Sequence, residues 1–139
     1  MALSFAGNGT ITGLSVGGLP DGTVDADTLA SGAGGISSSD QSVCKAWVNF
    51  NGETFGTRDS YNVSSVTDNG TGDYTVNIDT DMANVNYSVV GCAGDSVNTV
   101  AGAFVIANIY AVGSIGIKVL YAHSNVYDRK NVNIAIFGD

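Results

Sequence analysis

From Val43 onward, apolar and polar residues alternate in short runs, the period-two pattern of strands that bury one face. Ala46-Trp47-Val48-Asn49-Phe50 alternates, with Trp47 opposite in phase to Val48 and Phe50, and stops at Asn51-Gly52, a hairpin-type turn. A second run over 61–67 puts Tyr61 and Val63 on one face. Asp68-Asn69-Gly70-Thr71-Gly72 is a tight turn, and Tyr74, Val76 and Ile78 then point one way while Thr75 and Asn77 point the other, so these two runs predict an antiparallel hairpin. Further strands are predicted over 87–93, closed by Gly94-Asp95, and over 103–112, closed by Gly113-Ser114. Ile115, Ile117, Val119 and Tyr121 form another alternating face, and Val132, Ile134 and Ile136 form the last. About seven strands spaced by turns, with no helical periodicity, predict an all-β antiparallel β-sandwich over residues 41–139. Tyr61, Tyr74 and Tyr87 fall on its core faces.

Residues 1–40 follow a different rule. Large apolar residues there are sparse, and Leu14, Leu19, Val24 and Leu29 recur every five positions. That spacing matches neither the helical repeat of about 3.6 nor the strand repeat of about 2, so the segment cannot bury a continuous face alone. It reads either as a disordered tail or as a non-globular, Gly-rich stalk whose apolar residues are buried against other copies of the chain. Gly17-Gly18-Leu19-Pro20-Asp21-Gly22 is a turn signal. Asp25 could cap a short helical turn over 26–30, and the Gly/Ser-rich residues 31–40 read as a linker.

Composition narrows the functions. The chain has 139 residues, enough for one ordinary domain, and 13 acids against 5 bases give a net charge of −8. Nucleic-acid binding needs a basic stripe, so the field has the wrong sign. A membrane span needs roughly 20 apolar residues in a row, and the longest apolar stretch, near 102–112, is interrupted by Asn108. No basic and apolar leader opens the chain, so no secretory signal is expected. Cys44 and Cys92 lie in no metal-ligand spacing and read as small buried hydrophobes rather than as a disulfide or a catalytic thiol.

Catalytic constellations are scarce. His123 is the single histidine, too few for a typical zinc site, and no Gly-x-Ser-x-Gly elbow accompanies it. Asp79 and Asp81 could pair as the carboxylates of glycoside hydrolysis, but the turn chemistry of aspartate accounts for them. Asp21, Asp25 and Asp27 could gather around a calcium ion at an oligomer axis, although they lack the EF-hand register and its closing Glu. No metal site and no cofactor are expected. The better handle is aromatic: a ring stacks on a sugar's apolar face while neighbouring Asn and Asp bond its hydroxyls. Tyr110, Tyr121 and Tyr127 lie near turns or strand ends, and Arg129-Lys130, the one basic pair, suits an anionic sugar.

Lys45-Ala46-Trp47-Val48-Asn49-Phe50-Asn51-Gly52, with the run from Arg58-Asp59-Ser60-Tyr61 through Asp68-Asn69-Gly70-Thr71-Gly72-Asp73-Tyr74 to Asn77, resembles the head domain at the C-terminal ends of many bacteriophage tail fibers, particularly those of phages of marine and cyanobacterial hosts. The segment Gly18-Leu19-Pro20-Asp21-Gly22 to Ala30 resembles their shaft-to-head region. The likeness is close over 45–91, loose over 13–31, and fades beyond Gly91. It implies a homotrimeric fiber tip in the virion, assembled in the host cytoplasm alongside other tail proteins. Such a tip binds a host cell-surface glycan such as lipopolysaccharide, without catalysis. Receptor contacts are then expected after Gly91, at Asp95, Asn98, Asn108, Tyr110, His123, Tyr127 and Arg129, with Leu14, Leu19, Val24 and Leu29 serving oligomerisation. The rival readings are a structural fiber connector without receptor affinity and a small polysaccharide depolymerase.

Overall fold

A computed structural model describes residues 4–5, 11–12, 40–95, 103–121 and 125–138. The chain divides into two compact units, Met1–Ser38 and Ser39–Asp139. In the first, β1 (Ser4–Phe5) pairs antiparallel with β2 (Ile11–Thr12). Leu14, Leu19, Val24, Leu29 and the three aspartates of that segment lie outside the described residues.

The second unit is all-β and antiparallel throughout. Its strands are β3 (Cys44–Asn51), β4 (Gly56–Tyr61), β5 (Val63–Gly70), β6 (Asp73–Ile78), β7 (Ser88–Gly94), β8 (Ala103–Ala111), β9 (Ser114–Tyr121), β10 (Asn125–Val126) and β11 (Asn131–Phe137). They do not divide into the two facing sheets of a sandwich. One sheet runs in the order β4-β3-β11-β7-β8-β9-β6-β5, with β10 added beside β9, and it curls into a nearly closed barrel. Alternation marks one buried face per strand, and either a sandwich or a sheet closed on itself satisfies it. No helix occurs among the described residues, so none is long and apolar enough to cross a membrane.

Seven of the nine strands among the described residues of this unit match the alternating runs. The two additional strands carry no apolar face: β4 reads Gly-Thr-Arg-Asp-Ser-Tyr and is almost wholly exposed, and β10 is two residues long. The run over 61–67 is also broken, at Asn62, which adopts φ 52°. Asn tolerates this left-handed conformation better than most residues. Asn62 is the corner between β4 and β5, the two ends of the sheet. Its Nδ2 donates to the Lys45 and Thr80 carbonyls (both 3.1 Å), its Oδ1 accepts from Thr80 N (2.8 Å), and its carbonyl accepts from Asp79 N (3.2 Å). The corner resets the phase, so Tyr61 faces outward, paired with Trp47 and 59 % exposed, not into the core.

Inside the barrel, Ala46, Val48 and Phe50 of β3 meet Tyr74, Val76 and Ile78 of β6, Ile115, Ile117 and Val119 of β9, and Val132, Ile134 and Ile136 of β11. Tyr74 and Phe50 are the largest fully buried side chains, their rings edge to face at 4.8 Å. Tyr87 is buried as its phase predicts, and its hydroxyl donates to the Ala111 carbonyl at 2.8 Å. Both cysteines are free. Cys44 is half-buried, but Cys92 is exposed, because the inward positions of β7 are Val89, Gly91 and Ala93.

Candidate binding site

The segment Tyr127–Lys130 lies between β10 and β11 and is tied down at every residue. Tyr127 N donates to the Val119 carbonyl (3.1 Å), and Gly52 N donates to the Arg129 carbonyl (2.8 Å). Asp128 Oδ1 accepts from Gly72 N (2.7 Å) and from the Tyr74 hydroxyl (2.6 Å). The Arg58 guanidinium donates to the Lys130 carbonyl, and Lys130 N reaches Asp95 Oδ1 at 3.4 Å. Two turns read as simple hairpin connections, at Asn51-Gly52 and at 70–72, therefore also cradle this segment. Only glycine fits them. A Cβ on Gly52 would lie 2.3 Å from the Tyr74 hydroxyl and 3.1 Å from the Arg129 carbonyl, and one on Gly72 would lie 2.6 Å from Tyr127 N.

On this base stands a cluster of four side chains. Arg129 Nη1 donates to Asp95 Oδ2 at 2.7 Å, and the two side chains are only 13 % and 16 % exposed. The Arg129 guanidinium lies over the rings of Tyr121 (5.3 Å) and Tyr127 (5.6 Å), which meet edge to face at 5.8 Å. Arginine suits this place because its planar, delocalised charge can stack on rings and pair with a carboxylate at once. Arg129 Nε is buried without a hydrogen-bond partner among the described residues. Both tyrosines keep an open side: Tyr121 is 37 % and Tyr127 45 % exposed. The arrangement offers immobilised aromatic surface next to a neutralised ion pair, suited to holding a polar ring-shaped ligand.

Of the residues expected to contact a receptor, Asp95, Tyr127 and Arg129 come together. Asn108 and Tyr110 do not join them. They lie toward the opposite end of β8, where Tyr110 pairs with Ile115, whereas Ala103 at the near end pairs with Tyr121. At the rise of an extended strand the two ends are about 20 Å apart. Asn108 is exposed at a bulge, and the Tyr110 ring packs on Tyr87 at 5.2 Å. Asn98 and His123 lie outside the described residues. Asp79 and Asp81 are exposed residues of the loop that follows β6. Among the described residues, no three His, Cys, Asp or Glu side chains stand close enough to hold a metal ion.

Three contributors were not among the expected receptor contacts. Tyr121 shares the phase of Ile115, Ile117 and Val119, which are fully buried, but it sits where the strand runs out of the core. Asp128 directly precedes the basic pair Arg129-Lys130, and Gly72 ends what reads as an ordinary turn. No local signal marks either, since their partners are 56 residues apart in the chain.

Burial, and then the hydrogen bond to Asp128, pushes the Tyr74 hydroxyl well above the ordinary phenol range. Its folded pKa is thus raised above the unfolded value of about 10, so the stability it contributes is complete below that pH and is lost as pH climbs toward the folded pKa. Urea unfolding from about pH 9 to 11 should show this loss in the parent protein and a smaller one in Tyr74→Phe. Equal pH dependence in the two proteins would disprove the assignment.

Comparison with known families, curated proteins and solved structures returns no match for this chain.

Proposed function

We propose that the barrel is a receptor-binding head, the tip of a trimeric bacteriophage tail fiber, which takes a host cell-surface glycan on the Tyr121–Tyr127–Arg129–Asp95 cluster. The observation that carries this reading is the pair of half-exposed tyrosines held by a partly buried Arg129–Asp95 ion pair on a segment braced from three sides. A surface ordered before the ligand arrives loses less entropy on binding. The low fraction of charged residues and the many Asn, Ser and Tyr residues of the chain suit sugar hydroxyls, and the resemblance over residues 45–91 supplies the fiber context. The apolar residues of the first 40 positions, which have no continuous face of their own, fit a stalk packed against its copies.

The test is binding to an array of bacterial lipopolysaccharides and capsular glycans, with adsorption to cells bearing the bound glycan. Tyr121→Ala with Tyr127→Ala should weaken binding by about 2 kcal/mol or more, roughly thirty-fold in Kd, with the fold unchanged. The companion variant Asn108→Ala with Tyr110→Ala should bind as the parent does. Loss in the companion and retention in the first variant would move the receptor site to the other end of β8.

A further inference from the structure

The basic side chains of this chain are few enough to follow one by one, and their partners bear on which sugars the tyrosine cluster accepts. There are five, Lys45, Arg58, Lys118, Arg129 and Lys130, and all lie within the described residues. Four of them gather at the end of the barrel that carries Tyr121 and Tyr127. Arg58 donates to the Lys130 carbonyl, Lys118 reaches Asp73 at the start of β6, and Arg129 and Lys130 belong to the braced segment itself. Lys45 lies at the other end of β3 from Gly52, whose N–H holds the Arg129 carbonyl.

In a chain with 13 acids, this gathering of bases suggests an anionic ligand. The geometry argues the reverse, because the bases are already engaged. Arg129 Nη1 is bonded to Asp95, Lys118 Nζ to Asp73, and Lys130 Nζ lies 4.0 Å from Glu53. Arg58 spends its guanidinium on acceptors within the fold: Asn49 Oδ1 (2.8 Å), the Phe50 carbonyl (2.9 Å) and the Lys130 carbonyl. Asp128 adds a further acid next to Tyr127. Residues 96–102 carry no charged side chain and residues 122–124 hold only His123, so neither stretch supplies another Lys or Arg.

Arginine holds a carboxylate through a fork of two parallel N–H bonds, along its Nη1–Nη2 edge or its Nε–Nη2 edge. Neither edge of Arg129 is whole: Nη1 is given to Asp95, and Nε is buried out of solvent. A ligand carboxylate takes this place only by displacing Asp95, which leaves a partly buried carboxylate without its cation, an unfavourable state. Ionised Asp95 is also an acceptor only. It can bond a sugar hydroxyl, but it repels a ligand carboxylate.

We propose that Asp95 is a specificity-determining residue: by neutralising Arg129 it sets the tyrosine cluster to take uncharged sugars and to exclude uronic and other acidic ones. The inference rests on the glycan-binding reading and names the sugar class which that reading leaves open. It departs from the expectation that Arg129-Lys130 meets an anionic sugar. The full chain is tested at about pH 8, where histidine is neutral. The probes are polyglucuronate, polygalacturonate and polymannuronate, each beside its carboxyl-reduced form, together with the bacterial glycans of the array above. The reduced polymers carry a hydroxymethyl group in place of the carboxylate and are otherwise the same. The parent should bind uncharged members and favour them over acidic ones by about ten-fold or more. Its affinity for them should change less than about two-fold between roughly 50 and 500 mM NaCl. Asp95→Asn should shrink the preference by about ten-fold, because the Arg129 charge then stands uncompensated beside the tyrosines. The readout is a ratio, so a general loss of affinity in the variant does not imitate the effect. Should Asp95→Asn fail to fold, the parent's preference and its salt response still decide. A parent that favours the acidic member of a pair, or whose binding is abolished by salt, would overturn the inference and leave the glycan reading standing. An unchanged ratio in folded Asp95→Asn would overturn the role of Asp95. Binding to no glycan at all would end the glycan reading and this inference with it.

Discussion

Phe50→Ala is expected to be the most damaging single substitution in the barrel, costing about 4 kcal/mol of unfolding free energy. Phe50 is fully buried, and its ring meets Tyr74 edge to face at 4.8 Å and Phe55 at 6.4 Å. Truncation removes the transfer energy of the ring, leaves a cavity that neighbouring strands cannot close, and deletes an aromatic pair worth about 1 kcal/mol. The neighbouring strands are fixed by ladders on both sides: β3 pairs with β4 and with β11, and β6 with β5 and with β9. Collapse into the gap is therefore restricted. Domains of this size have about 5–15 kcal/mol in total, so the variant should unfold at a much lower urea concentration and bind glycan poorly even where folded. The second effect follows because Phe50 supports Tyr74, and Tyr74 holds Asp128. Phe50→Leu keeps most of the volume and should lose less than half as much. A loss below about 1 kcal/mol for Phe50→Ala would show that the barrel repacks freely around this position.

The second large effect is expected at Gly72, where alanine should cost about 3 kcal/mol and displace Tyr127. Two costs combine. Gly72 has φ +62°, a left-handed conformation that disfavours a Cβ by about 1–2 kcal/mol. The new methyl would also lie 2.6 Å from Tyr127 N and 2.9 Å from the Val119 carbonyl, both backbone atoms with no rotamer to yield. Relief requires segment 127–130 to move, which lengthens the Tyr127–Val119 and Gly72–Asp128 hydrogen bonds. Gly94→Ala is the control, because a Cβ there meets nothing within 4 Å and its φ is not positive. That variant should stay within about 0.5 kcal/mol of the parent. Gly72→Ala should lose glycan binding out of proportion to its stability, measured well below its melting temperature. Unaltered binding in a destabilised Gly72→Ala protein would show that the Tyr121–Tyr127 surface does not depend on this cradle.

Much of the barrel was legible because burial is enforced one strand at a time. Tyr74, Val76 and Ile78, or Val132, Ile134 and Ile136, need no knowledge of their neighbours to declare an inner face. The polar strand β4 was not legible, since an exposed strand at the end of a sheet carries no apolar signature. Tyr61 was misplaced for a related reason: one residue in the left-handed region, Asn62, reverses the phase, and the alternation contains no mark of it. The binding cluster was half legible. Arg129 and Tyr127 drew notice as a basic and an aromatic residue in one loop, and Asp95 as a turn residue following a strand. Their meeting depends on β7 and β11 being neighbours, a pairing between segments about 35 residues apart that local pattern cannot reveal.

The amino-acid sequence alone therefore determined the antiparallel strands, their inner faces and the hairpin turns, because each follows from local periodicity and turn chemistry. Only the tertiary structure decided that the strands form one sheet curled on itself, that Tyr121 leaves the core to join Tyr127 and Arg129, and that Val90, Phe104 and Ile106 are exposed. These outcomes depend on which strand edges find each other, and backbone hydrogen bonds between edges are nearly indifferent to the side chains that flank them.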